Sequence, residues 1–196
     1  MAQYDETHAT FTIERALEVK PAIVFGAWSD PAQKRLWFAC HDDWVSEEYS
    51  LDCRVGGHET SRVRDTNGVL HAYRARILDV IANRRLIFSY DMYLDDRRIS
   101  ISLATVGFLP ATERLARESP MGTTERLARE SPMGTTERLA RESPLGPDAG
   151  TKLIFTEQVI FLDGYEDGGS RRHGTEIGLD KLGLFLHAFP GGTGSA

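Results

Sequence analysis

The chain offers few groups of residues whose types and spacing could do chemistry. His41, Asp42 and Asp43 are consecutive, and they could hold a metal ion or orient a catalytic base. A further ligand at a recognisable spacing is missing, which favours a solvated surface loop. His173 and Glu176 lie three residues apart and could share a helix face, although a glutamate near a helix start is also favourable electrostatically. With no Ser-His-Asp signature and no phosphate-binding glycine loop, the sequence predicts no catalytic residue, no metal site and no cofactor.

Glu157 is the most unusual charged residue, because it lies in an otherwise apolar segment. If its side chain points inward it needs a partner, since an unpaired buried charge is costly, and Arg74 or Arg76 could serve. We expect Glu157 to point into water instead. Three more titratable residues lie on predicted strands and have no evident partner: His58, Glu59 and His71.

Aromatic residues are the best candidates for a binding function. Ligand pockets are lined mostly by apolar and aromatic side chains with a few polar groups. The same side chains could instead simply fill the core, and the residues alone leave both interpretations open. The candidates for lining a cavity are Trp28, Trp37, Phe38, Trp44, Tyr73, Phe88, Tyr90, Phe155, Leu182 and Phe185.

The clearest strand in the chain spans residues 150–162. A two-residue period places four apolar side chains on one of its faces, namely Leu153, Phe155, Val159 and Phe161. A strand with one apolar face belongs in a sheet that another element covers. The sequence predicts one long, well-patterned helix at about residues 175–189, with Leu182 and Phe185 in its apolar stripe. We expect this helix to lie across the sheet and position any binding site.

The rest of the chain predicts more strands joined by short turns. Asn67-Gly68 is a strong hairpin signal, and such tight turns imply antiparallel pairing. Asp30 can cap a helix that has Pro31 at its first position. Strands followed by a terminal helix indicate an α+β class. The predicted strands cover residues 11–19, 44–54, 59–64, 69–80, 86–92 and 99–108, and two short helices cover residues 22–28 and 31–38.

Residues 112–147 are a tandem repeat in which TERLARESPMGT occurs twice and is followed by TERLARESPLGP. Each unit has little apolar surface, so it cannot bury enough to offset the entropy of ordering. We expect a mobile loop insertion over residues 110–149, within a single domain of residues 8–190. Duplication without function is the simplest explanation, and a partner-binding arm is the alternative. Residues 191–196 predict a flexible tail.

Bulk properties argue against several function classes. With 196 residues, the chain is long enough for one domain with a real core. Its net charge of -6 argues against nucleic-acid binding, which usually needs a basic surface. No apolar run approaches the ~20 residues needed to span a membrane, and the N-terminus lacks a secretory signal. Cys40 and Cys53 form neither a disulfide framework nor a metal spacing, so a cytoplasmic location is the default expectation.

Several segments of the chain resemble a known family when they are taken together. They are FTIERALEVKPAIVFGAWSDPAQKRLWF, RVGG, YDMYLDDRRISISLATVGF, GTKL with TEQ, and FLDGYEDGGSRRHGTEIGLDKLG. They resemble the bacterial proteins homologous to the activator of heat-shock protein 90 ATPase, in the START/polyketide cyclase-like (SRPBCC, Bet v 1-like) superfamily. The resemblance covers about residues 11–108 and 150–188.

This resemblance implies a helix-grip fold with two short helices after the first strand. A curved antiparallel sheet would wrap a long C-terminal helix and leave a cavity between them. The resemblance also implies a non-catalytic domain that holds a small apolar ligand in that cavity. A co-chaperone-like interaction module and a polyketide cyclase-like or hydrolase enzyme are the alternatives. The expected partners are an apolar small molecule or a protein, not nucleic acid or a membrane, and the sequence predicts no oligomeric state.

Overall fold

The computed structural model describes residues 4–38, 43–111 and 150–188. In these ranges the chain forms seven strands, two short helices and one long helix. Their bounds are β1 Glu6–Leu17, α1 Pro21–Ser29, α2 Pro31–Lys34, β2 Val45–Leu51, β3 His58–Arg64, β4 Leu70–Ile81, β5 Arg85–Leu94, β6 Arg97–Pro110, β7 Thr151–Leu162 and α3 Ser170–Ala188.

The strands form one curved antiparallel sheet in the order β1-β7-β6-β5-β4-β3-β2. From β2 to β7 each strand pairs with the next one along the chain. β1 pairs with β7, and this places Ile13 opposite Phe155. The structure confirms the predicted α+β helix-grip fold, with two short helices after the first strand.

The core lies between the inner face of the sheet and α3. Leu179, Leu182 and Leu186 recur at helical spacing and are buried on one side of α3. They join a cluster that includes Val24 from α1 and Phe155 from β7. The alternation of apolar residues in β7 therefore faces the helix, as the sequence predicts.

Local signals account for most of the element ends. The Oδ1 atom of Asp30 accepts hydrogen bonds from the backbone nitrogens of Ala32 and Gln33, which confirms the predicted cap of α2. The turn between β3 and β4 contains Gly68 at a φ of 85°, which confirms the predicted hairpin. Glycine adopts such a positive φ without steric cost.

Several predicted bounds are wrong. α3 begins at Ser170 rather than at residue 175, because Oδ1 of Asp167 accepts bonds from the Ser170 hydroxyl and the Arg171 backbone nitrogen. α2 ends at Lys34 rather than at residue 38. β1 covers Glu6–Leu17 rather than residues 11–19, because its N-terminal half pairs with the end of β7.

β6 and β7 are neighbours, with Pro110 opposite Thr151, so the intervening segment connects two paired strands. The repeat, the tail at residues 191–196, and Cys40, His41, Asp42 and Phe189 lie outside the described residues. In the part of the chain that the structure describes, no helix combines the length and apolarity needed to cross a membrane.

Candidate functional site

A cavity of about 390 Å³ lies between the inner face of the sheet and the first half of α3. Its walls are mainly aromatic and aliphatic, and polar side chains border it where α3 begins. Small-molecule sites typically have volumes of roughly 300–1,000 Å³ and this kind of lining. The cavity is therefore the candidate site.

Eight of the ten predicted residues border this cavity: Trp28, Trp37, Phe38, Trp44, Tyr73, Phe88, Tyr90 and Phe155. Leu182 and Phe185 are not among its lining residues. Leu182 is fully buried in the core, and Phe185 packs against that core from α3, closer to the helix's C-terminal end. That any of these residues holds a ligand stays a prediction.

The aromatic walls contact one another in a continuous series. The ring centroids of Trp28 and Trp37 are 5.0 Å apart, and those of Trp28 and Phe155 are 6.4 Å apart in a stacked arrangement. On the neighbouring strands β4 and β5, the ring centroids of Tyr73 and Tyr90 are 5.0 Å apart. Such contacts add stability beyond the buried area, so the walls are held in place by their neighbours.

Two glycines of α3 keep space open on the helix side. Gly174 and Gly178 are one turn apart, and both border the cavity. A Cβ atom added at either position would meet nothing within 4 Å. Glycine inside a helix costs about 1 kcal/mol relative to alanine. The helix therefore gives up stability where side chains would fill the cavity.

A buried ion pair lies behind the aromatic wall. The Nζ atom of Lys34 is 2.7 Å from Oε2 of Glu59, and the two side chains are 1% and 0% exposed. The ammonium also lies 4.9 Å from the ring centroids of Trp28 and Phe38, close enough for a cation–π contact. The prediction that Glu59 has no partner is wrong, because α2 carries Lys34 onto β3.

Two tyrosines complete the hydrogen bonding of Glu59. The hydroxyl groups of Tyr49 and Tyr73 donate to its carboxylate at 2.9 and 3.2 Å. Burial, with the nearby charge of Glu59 as the next cause, raises the pKa of both tyrosines above the ordinary value. They therefore remain neutral hydrogen-bond donors across the physiological pH range.

A second buried ion pair joins the start of α3 to the sheet. Nη1 of Arg171 is 3.1 Å from Oε1 of Glu157, whose side chain is fully buried. The prediction that Glu157 points into water is therefore wrong. Its partner is neither of the arginines suggested by the sequence: Arg74 lies over the ring of Tyr93, and Arg76, like Arg74, is exposed.

Polar residues of the sheet support this pair. The Ser102 hydroxyl donates to Oε1 of Glu157 at 2.8 Å, while Arg171 donates to Ser100 at 2.7 Å and to Tyr90 at 3.2 Å. Burial raises the pKa of Tyr90, so its hydroxyl stays protonated. One polar network thus fixes the first turn of α3 against β5, β6 and β7.

The remaining titratable candidates are accounted for by local contacts. His71 borders the cavity, where its ring centroid lies 4.3 Å from that of Trp44 in a tilted arrangement. Its Nε2 atom lies 3.4 Å from Oδ2 of Asp65, so the prediction that it has no partner is wrong. Glu176 pairs with Arg172 at 2.9 Å inside α3, rather than standing at its start. No group of three or more metal-ligating side chains occurs within the described residues.

Sequence reasoning misses the polar residues Lys34 and Arg171, although the signal for Glu157 is present. Glu157 has the same parity as Phe155 and Val159, so the strand period places it on the inner face. The period gives no such signal for Lys34, which lies in a helix of four residues. Arg171 is missed because its segment reads as a glycine-rich loop.

Comparisons with known proteins agree with this geometry. The family model for activator of Hsp90 ATPase homolog 1-like proteins matches residues 18–136. An uncharacterised protein from Rhizobium leguminosarum is 44% identical, covers 94% of this chain and 98% of its own, and has a TM-score of 0.72. A protein from Rhizobium loti is 31% identical over 93% of this chain and 99% of its own, with a TM-score of 0.67.

A more distant structure extends the likeness in fold. The solution structure of an activator of Hsp90 ATPase homolog 1-like protein from Aeromonas hydrophila is 17% identical, and the match covers 96% of this chain and 99% of that one, with a TM-score of 0.56. No curated protein matches the chain. The family model and the identity to the Rhizobium proteins show that the chain belongs to the family of activator of Hsp90 ATPase homolog 1-like proteins.

Proposed function

We propose that the protein is a non-catalytic binding protein that holds a small, largely apolar molecule between the sheet and α3. The observation that carries this proposal is the cavity of about 390 Å³ with aromatic walls. Burial of apolar ligand surface there would contribute roughly 25 cal/mol per Å². The glycines at positions 174 and 178 support the proposal, since they keep that space free at a cost to the helix.

The charged groups where α3 begins suit binding better than a reaction. Arg171 cannot act as an acid or base, because a guanidinium stays protonated in proteins, and the Asp167 carboxylate accepts from the backbone nitrogens of Gly169 and Arg171. His71, which lies 3.4 Å from Asp65, is the group that the enzyme alternative would use. A catalytic acid or base needs to be within hydrogen-bond reach of a substrate proton. The co-chaperone and enzyme alternatives stay predictions.

The probe N-phenyl-1-naphthylamine tests the proposal, because it is neutral and aromatic and its emission rises in apolar surroundings. We expect saturable binding to the full chain. All three tryptophans border the cavity, so their fluorescence should be quenched over the same titration. Absence of a saturable signal would refute the proposed function.

A matched pair of variants locates the probe. Gly178→Phe places a ring in the open space and should weaken binding roughly tenfold or more, since a filled site loses its apolar contacts. Leu184→Phe adds a ring on the same helix at a residue that is 72% exposed and lies away from the cavity, so it should bind like the unsubstituted chain. Equal binding by both variants would mean that the probe occupies another surface.

A further inference from the structure

Arg171 borders the cavity with hydrogen-bonding capacity left over. A guanidinium has five N–H groups. Nη1 donates to Tyr90, Ser102 and Glu157, and Nη2 donates to Ser100. These bonds use both hydrogens of Nη1 and one of Nη2. The Nε hydrogen and the second Nη2 hydrogen therefore have no acceptor among the described residues.

The Nε donor is open rather than sealed in the core. In the described part of the chain, the buried polar side-chain atoms without a partner are Nε1 of Trp28 and Oε2 of Glu157, and Nε of Arg171 is not among them. The Arg171 side chain keeps 11% of its surface exposed and borders the cavity. An acceptor on a bound molecule would therefore complete its hydrogen bonding.

A carboxylate is the acceptor that best suits two N–H groups on neighbouring guanidinium nitrogens, because its two oxygens can accept them together. Glu157 holds Arg171 from the sheet side through Oε1 alone, and it does not border the cavity. The cavity therefore meets the positive end of this pair. The start of α3, a helix of 19 residues, adds the positive end of its dipole. Asp167, which also borders the cavity, offsets part of that field.

We propose that the ligand is an amphipathic monocarboxylate, and this inference rests on the proposed binding function. Its carboxylate would bind Arg171 at the start of α3, and its apolar body would lie against Trp28 and Phe155. These three residues border the same cavity, so the donors and the apolar walls face one space.

Displacement of N-phenyl-1-naphthylamine by three ligands with one ring system tests this class. They are 2-naphthoate, the neutral 2-naphthyl methyl ketone and 2-naphthylmethylammonium. We expect 2-naphthoate to bind roughly tenfold or more tightly than the ketone, and the ammonium to bind most weakly. If the ketone or the ammonium binds as tightly as the carboxylate, the inference is overturned, while probe binding would leave the proposed function standing.

Variants then test whether Arg171 causes the preference. The double variant Arg171→Met, Glu157→Gln removes both charges, so that no unpaired charge is left buried. It should bind 2-naphthoate no more than roughly twofold more tightly than the ketone. Arg171→Lys keeps the charge but not the paired donors, so it should lower the preference severalfold, and it remains informative if the double variant does not fold. An unchanged preference in the folded variants would overturn the inference.

Arg172→Met is the matched control. Arg172 lies one residue further along α3, pairs with Glu176, and borders a neighbouring groove of about 440 Å³ rather than the cavity. Arg171 borders both spaces. The preference for 2-naphthoate should survive in Arg172→Met, and its loss there would place the carboxylate in the groove and overturn the inference.

Discussion

Replacing Lys34 with methionine tests whether the buried charges behind the cavity stabilise each other. Methionine keeps an apolar side chain of similar length but removes the ammonium 2.7 Å from Glu59. Glu59 would then stay fully buried, with only the hydroxyl groups of Tyr49 and Tyr73 donating to it. Removing one partner of a buried pair costs about 3–5 kcal/mol. Because the free energy of unfolding of a whole domain is about 5–15 kcal/mol, this change would remove a large part of the stability.

Urea unfolding at neutral pH measures this change in the free energy of unfolding, and a double-mutant cycle isolates the pair. Lys34→Met and Glu59→Gln each leave one buried group without its partner, whereas the double variant removes both charges. The double variant should therefore cost less than the sum of the single variants by about 1–3 kcal/mol.

A surface pair supplies the matched control. Lys152 lies 3.0 Å from Glu14, but the two side chains are 36% and 54% exposed. Lys152→Met makes the same chemical change and should cost about 0–1 kcal/mol, because exposed pairs are screened by water. If Lys34→Met costs no more than Lys152→Met, or if the two single effects in the cycle simply add, the reasoning about the buried pair is refuted.

Three further predictions concern other contacts of the described residues. Above about pH 10 the free energy of unfolding should fall by up to about 1.4 kcal/mol per pH unit for each tyrosine whose pKa is raised in the fold, because the unfolded chain loses the phenolic proton first. Urea titrations at about pH 9 and about pH 11 test this for Tyr49, Tyr73 and Tyr90, and equal stability at both would contradict it. Gly178→Ala should increase the free energy of unfolding by about 1 kcal/mol and so raise the midpoint of thermal unfolding, because alanine favours the helix and its Cβ would meet nothing within 4 Å. A lower midpoint would show that the space is not open. Asp30→Ala should lower the free energy of unfolding, measured with urea, by about 1 kcal/mol, because the α2 cap is lost. Asp30→Ser should keep most of the stability of the unsubstituted chain, because serine also caps helices.

The sequence predicts the elements of this fold because alternation and helical spacing report burial directly. β7 shows this best: Leu153, Phe155 and Val159 are buried and recur at the predicted period. Tight turns then leave antiparallel pairing as the natural arrangement. Element ends are less predictable, since the start of α3 depends on hydrogen bonds to the single side chain of Asp167.

The polar part of the site is harder to predict, because burial of a charge depends on a partner that is distant in the chain. Glu157 and Arg171 come from a strand and a helix, and Lys34 and Glu59 from a helix and a strand. Residue type argues against burial in each case, since charged side chains are rarely buried unless paired. Strand parity places Glu157 inside, but only the three-dimensional contact with Arg171 gives its buried carboxylate a partner there.

The two buried pairs also bear on how the cavity persists. Side chains that line an empty space lack dispersion contacts on that side, so they would gain contacts if the cavity closed. Closure would require α3 to move toward the sheet at Gly174 and Gly178, where no side chains stand in the way. Arg171 opposes such a movement, because its bonds to β5, β6 and β7 would be bent or lost as α3 shifts, and hydrogen bonds weaken when their geometry is distorted. Lys34 holds α2 against β3 in the same manner behind Trp28 and Phe38. A polar network is satisfied in one geometry, whereas apolar packing tolerates many. The two buried pairs thus fix the spacing between the helices and the sheet on which the open cavity depends.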